Sequence, residues 1–104
     1  MQRLYCDNMI HHVAMFTFTE PQTIEHIAFI TKTLQDMRAT MPYVKSYVCG
    51  PDASLAGNND YVVIASFDNE DDWSAYHHDD LHNKIRAEVF APIVKERNVI
   101  QVRS

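Results

Sequence analysis

Glycine is scarce in this chain. There are two in 104 residues, with four prolines and two cysteines. So little of the turn-forming and low-complexity residue types excludes a linker, a collagen-like repeat or a disordered tail. Cys6 and Cys49 form no CxxC pair. They read as small apolar residues, both reduced in a cytosolic setting. Basic charge is also in short supply, with nine Lys and Arg against fourteen Asp and Glu and a net charge of −5. Nucleic acid is therefore not an expected partner, because a phosphate backbone needs a basic face. No apolar run approaches the roughly 18 residues of a membrane span. The opening stretch, residues 1–8, lacks the apolar core of a secretory signal, so a cytoplasmic location is expected.

What remains is the balance of one folded domain, 46% hydrophobic and 22% charged. A domain this small buries only about 60–70% of its unfolded surface and gains from association. Six histidines are the compositional excess to explain.

Residues 1–8 read as an extension and 9–104 as the domain. Ile10 to Thr19 predicts a strand: Ile10, His12, Ala14, Phe16 and Phe18 fall on one face, His11, Val13, Met15 and Thr17 on the other. Both faces are substantially apolar, the mark of a strand buried on both sides. Thr19-Glu-Pro-Gln22 reads as a capping box with Pro in the first turn. Ile24, Ile27, Thr31, Leu34, Met37 and Met41 form a stripe that predicts a helix over 21–39, ended by Pro42. Tyr43 to Cys49 reads as a second strand and Tyr61 to Phe67 as a central third. Asp68 is an N-cap candidate for a helix over 70–77, with Glu70, Asp71 and Asp72 suiting the helix dipole. Asp79 or Asp80 can cap a further helix over 80–91, with Leu81, Ile85 and Val89 as its inner stripe and Pro92 at its end. Asn98 to Arg103 completes the pattern.

The order β-α-β-β-α-β predicts an α+β, ferredoxin-like fold: a four-stranded antiparallel sheet with helices on one face. Its central strands are apolar on the uncovered face as well. A second copy of the sheet is the simplest cover, so a homodimer with sheet packed on sheet is expected.

Three stretches together resemble the stress-responsive A/B barrel domain, a family of dimeric α+β barrels. Met9-Ile-His-His-Val-Ala-Met-Phe-Thr-Phe18 is similar to its opening strand, and Asp60-Tyr-Val-Val-Ile-Ala-Ser-Phe-Asp68 to its third. Asp72-Trp-Ser-Ala-Tyr76, followed by His82 and Pro92, is similar to its helical segment. The departure is Asp79, which stands at the first His of the family's usual His-Pro-x-His. Some plant members are cofactor-independent polyketide cyclases that work by aldol condensation. The resemblance implies a pocket with catalytic residues Tyr76, His82 and His12, no cofactor and no metal. Two further readings stand beside it: a non-catalytic, stress-associated dimer with a filled interior, and a heme- or oxygen-handling monooxygenase-like relative.

The residue types fit aldol chemistry. Removing a proton beside a carbonyl needs a base, which a histidine supplies. The developing oxyanion needs a donor, which a tyrosine supplies. Tyr76 and His82 are six apart and converge only if the helix breaks near Asp79. The segment His77-His-Asp-Asp-Leu-His82 also suggests a metal, since His78 and His82 share a face of a continuous helix. The same break removes that geometry. His77 and His78 are expected to face solvent, and His11 and His26 solvent or the partner subunit.

Overall fold

The first strand turns its even positions toward the helices and its odd positions toward the uncovered face. The computed structural model describes residues 8–104, so Cys6 and all but the last residue of the expected extension lie outside the described residues. The chain runs β1 (Ile10–Phe18), α1 (Ile24–Arg38), β2 (Ser46–Pro51), β3 (Tyr61–Phe67), α2 (Glu70–His78), α3 (Asp80–Ile85), a π-helical turn (Arg86–Phe90) and β4 (Val94–Arg103). All strand pairs are antiparallel, in the order β2-β3-β1-β4. This is the ferredoxin-like arrangement expected from the element order.

On β1 the even positions, from Ile10 through His12 to Phe18, are all buried beneath the helices. Tyr61, Val63, Ala65 and Phe67 of β3 join them, and α1 closes the layer with Ile30, Leu34 and Met37. The opposite face is also apolar. Val13 stands between Ile64 and Ile100 in register, and Ile64 faces Val48 on its other side. Val48 and Ile100 are more than half exposed, at 58% and 56%.

Several local readings shift, each for a visible reason. The cap of α1 is Thr23, whose hydroxyl accepts from the His26 N–H at 3.0 Å. Thr19 is held instead at the end of the sheet, its N–H donating to the Ile93 carbonyl. Gln22 and Pro21 therefore precede the helix, and Ile24, its first residue, is 84% exposed and outside the core. The cap of α2 is Asn69, which accepts from the Asp72 N–H at 2.8 Å. Asp68 turns away to pair with Lys45. The second strand starts at Ser46 because Tyr43 and Val44 lie in a turn closed by the Val44 N–H on the Met41 carbonyl. β4 begins at Val94, four residues before the alternation becomes visible in sequence.

Candidate functional site

The site is made by a broken helix. Asp79 adopts an extended conformation at φ −65°, ψ 132°, so it ends α2 and starts α3. Its N–H donates to the Tyr76 carbonyl, and its carboxylate accepts from the His82 N–H at 3.0 Å. One residue thus stops the first helix and caps the second. The turn swings His82 back over Tyr76. The two rings stack with centroids 4.1 Å apart and planes 30° from parallel. Both side chains are buried.

A cavity of about 450 Å³ opens beside this pair, between the helix face of the sheet and the α3 segment. Its apolar wall includes Ala14, Phe16, Leu34, Val63 and Phe90. Its polar wall is Tyr47, Tyr76, His82, Asn83, Arg86 and Arg97. The π turn shapes one side. The Ala91 N–H bonds to the Arg86 carbonyl five residues back, at 2.9 Å. That wider turn makes Phe90 rather than Val89 the buried residue after Ile85. Leu81, expected on the inner stripe, is 40% exposed, because His82 and Ile85 take the inward positions of α3.

His12 packs edge-on against Tyr76, with ring centroids 5.8 Å apart, but is not on the cavity wall. Its Nδ1 accepts from the Trp73 indole N–H at 3.3 Å and from the Gln101 amide at 3.0 Å. An indole N–H can only donate, so Nδ1 carries the lone pair and neutral His12 holds its proton on Nε2. Trp73 thus fixes a histidine tautomer.

Burial dominates the acid–base character. It lowers the His82 pKa to about 4, aided by the Arg86 guanidinium and by His12. It lowers His12 to about 4 as well, aided by Arg97, His77 and Arg86. Burial raises the Tyr76 and Tyr47 phenols; at Tyr76 the adjoining Tyr47 side chain, then Arg86 and Arg97, pull the other way. At neutral pH both histidines are uncharged and both phenols keep their protons. His82 Nδ1 and the Tyr47 hydroxyl are buried with no hydrogen-bond partner among the described residues.

Of the expected site residues, Tyr76 and His82 meet on the wall and His12 supports Tyr76 from one side. His78 points away, its Nδ1 against the Ser74 carbonyl at 2.9 Å, so it does not pair with His82. His77 is half-buried, stacked on Trp73 at 5.1 Å rather than free in solvent. His11 lies on the uncovered sheet face, bonded to Ser66, and His26 stacks on Phe29. Among the described residues no three His, Cys, Asp or Glu side chains gather as a metal site. Sequence reasoning missed Arg86 and Arg97. The signal for Arg97 was its even spacing from Val99 and Gln101, which places all three on the helix face of β4.

The chain belongs to the stress responsive A/B barrel domain family, which matches residues 10–103. A dimeric ferredoxin-like protein of unknown function from Thermobifida fusca is 31% identical, with TM-score 0.83, over 93% of this chain and 92% of that one. A family member with a ferredoxin-like fold from Mesorhizobium loti is 14% identical, TM-score 0.76, over 90% and 94%. A hydroxynitrile lyase from Passiflora edulis shares the fold at 14% identity, TM-score 0.78, over 94% of each chain. None of the curated proteins matches. Among the described residues no helix is long and apolar enough to cross a membrane.

Proposed function

We propose that this protein is a homodimeric, cofactor-independent enzyme that binds a small carbonyl compound and carries out aldol-type proton transfer on it. The reading rests on one observation: Tyr76 and His82 stacked at 4.1 Å on the wall of a mostly apolar cavity of about 450 Å³. That volume falls within the usual range of small-molecule sites and speaks for a binding protein rather than a filled interior.

His82 removes a proton from the carbon beside a carbonyl, its neutral imidazole acting as the base. The Tyr76 hydroxyl donates to the carbonyl oxygen as the enolate forms. The enolate carbon then attacks a second carbonyl of the same molecule. One carbon–carbon bond forms, and the proton held on His82 returns to the new alkoxide. Arg86 weakens His82 as a base, so the Tyr76 hydroxyl carries the stabilisation of the enolate. His12 and Trp73 keep Tyr76 in place. The assembly pairs two copies through the uncovered sheet face, where Val48, Ile64, Ile100 and Val102 lie exposed. The Thermobifida fusca relative is described as dimeric.

The test is hydrogen–deuterium exchange beside the carbonyl of aryl and alkyl ketones in D₂O, followed by proton NMR. The protein should accelerate exchange, and His82→Ala should remove about 10²–10⁴ of that acceleration. Exchange no faster than in buffer, or unchanged in His82→Ala, rejects the reading.

A further inference from the structure

The charge on the cavity wall is of one sign. Arg86 enters from the π turn and Arg97 from the helix face of β4, opposite Phe16 in register. No Asp or Glu joins them on the wall. Among the described residues neither guanidinium is paired with a carboxylate; the ion pairs are Lys32–Asp36, Lys45–Asp68 and Arg103–Glu70. Among the described residues Arg86 bonds the Asn83 side-chain oxygen, at 3.4 Å. This is notable in a chain of net charge −5. The acids cluster elsewhere, as in the first turn of α2.

Two guanidinium groups on the wall of one cavity, Arg86 half-buried and Arg97 exposed, repel each other, and a bound anion relieves both. Arg97 is accordingly easier to deprotonate than a free arginine, through partial desolvation and the nearby Arg86. The planar fork of arginine matches a carboxylate in two parallel hydrogen bonds. The remaining wall is hydrocarbon and aromatic, and so suits an apolar body.

We infer that the cavity binds an amphiphilic keto acid, with its carboxylate held by Arg86 and Arg97 and its carbonyl end lying at Tyr76 and His82. Only the placement of the carbonyl end rests on the function proposed above. The arginines stand on the wall whatever the chemistry at His82. The carboxylate anchors the ligand and fixes which carbonyl along the chain reaches the stacked pair. Arg86 and Arg97 are then specificity-determining residues, and Tyr76 and His82 the reacting ones.

The experiment compares 3-benzoylpropionate, its methyl ester and phenyl phosphate, by calorimetry and by NMR shifts of the Val63 and Leu34 methyl groups. The keto acid should bind in the cavity, and the ester about tenfold more weakly or worse. Arg97→Gln and Arg86→Gln should each weaken the acid about tenfold and leave the ester unchanged. Arg97→Lys should restore part of the loss. Removing one of two like charges should not lower the melting temperature, which separates lost binding from lost folding. Equal affinity for acid and ester overturns the inference. So does an equal effect of the variants on both, tighter binding of phenyl phosphate than of the acid, or no binding of the acid at millimolar concentration. If the acid binds through the arginines but no exchange occurs beside its carbonyl, the catalytic reading fails and the anion site stands. If neutral ketones exchange and the carboxylate adds nothing, the reverse holds.

Discussion

The indole N–H of Trp73 donates to Nδ1 of His12 across 3.3 Å, joining the first turn of α2 to the first half of β1. Gln101 donates to the same nitrogen from β4. Three elements thus meet at one imidazole. Trp73→Phe removes one of the two donors and should lower stability by about 1 kcal/mol. The double variant Trp73→Phe, Gln101→Leu frees Nδ1, so ¹⁵N chemical shifts of His12 should move from a single tautomer to a mixture. Shifts unchanged in the double variant would refute the assignment.

Acid should destabilise the protein in a defined window. His12 and His82 have native pKa values of about 4 against an ordinary 6.5. Between those values the unfolded chain binds more protons than the native one, so stability falls as pH drops from 6.5 toward 4 and is full above 6.5. Each histidine contributes on the order of 2 kcal/mol to that loss. Urea melts at a series of pH values should show it, with a shallower slope in His12→Gln and in His82→Gln. Parallel slopes in wild type and variants would count against burial as the cause.

Phe90 holds the π turn against the sheet. Its ring lies 4.8 Å from Phe16 and 6.1 Å from Tyr61, measured between centroids. Phe90→Ala should cost about 3–5 kcal/mol in a denaturant melt. It should also enlarge the cavity, so a crystal structure of the variant would show added volume on that side.

Ile64 occupies the middle of the uncovered face, between Val13 and Val48 in register. Ile64→Lys places a charge on the face through which the proposed dimer would pack. Light scattering should report twice the 12.0 kDa chain mass for wild type and the single chain mass for the variant. A wild type that scatters as a single chain at micromolar concentration would rule out the homodimer.

The fold was legible wherever two periodicities met. The alternation of β1 and β3 placed the sheet, and the acidic run around Asp79 marked the helix break that brings Tyr76 to His82. Caps were less legible, because Thr19 and Asp68 satisfy the usual pattern but are drawn into tertiary contacts with Ile93 and Lys45. The positive half of the cavity was only half legible. Arg86 depends on a π turn, which has no sequence period of its own, whereas Arg97 keeps step with Val99 and Gln101 just ahead of the visible alternation. The Trp73–His12 bond joins residues 61 positions apart, beyond any local pattern.

The neighbouring histidines of β1 look in opposite directions. His12 is anchored to Trp73 and Gln101 under the helices, and His11 to Ser66 and Ser104 on the far side. A strand greasy on both sides has little to tell it which side is which, since slipping by one residue only exchanges one apolar set for the other. The two imidazoles act as alignment marks. Both rings find their polar partners at once in the native pairing alone; a slip of one residue would seat one ring in the other's place and leave its neighbour without them. Histidine, which first stood out only by its number, therefore also keeps this sheet in frame.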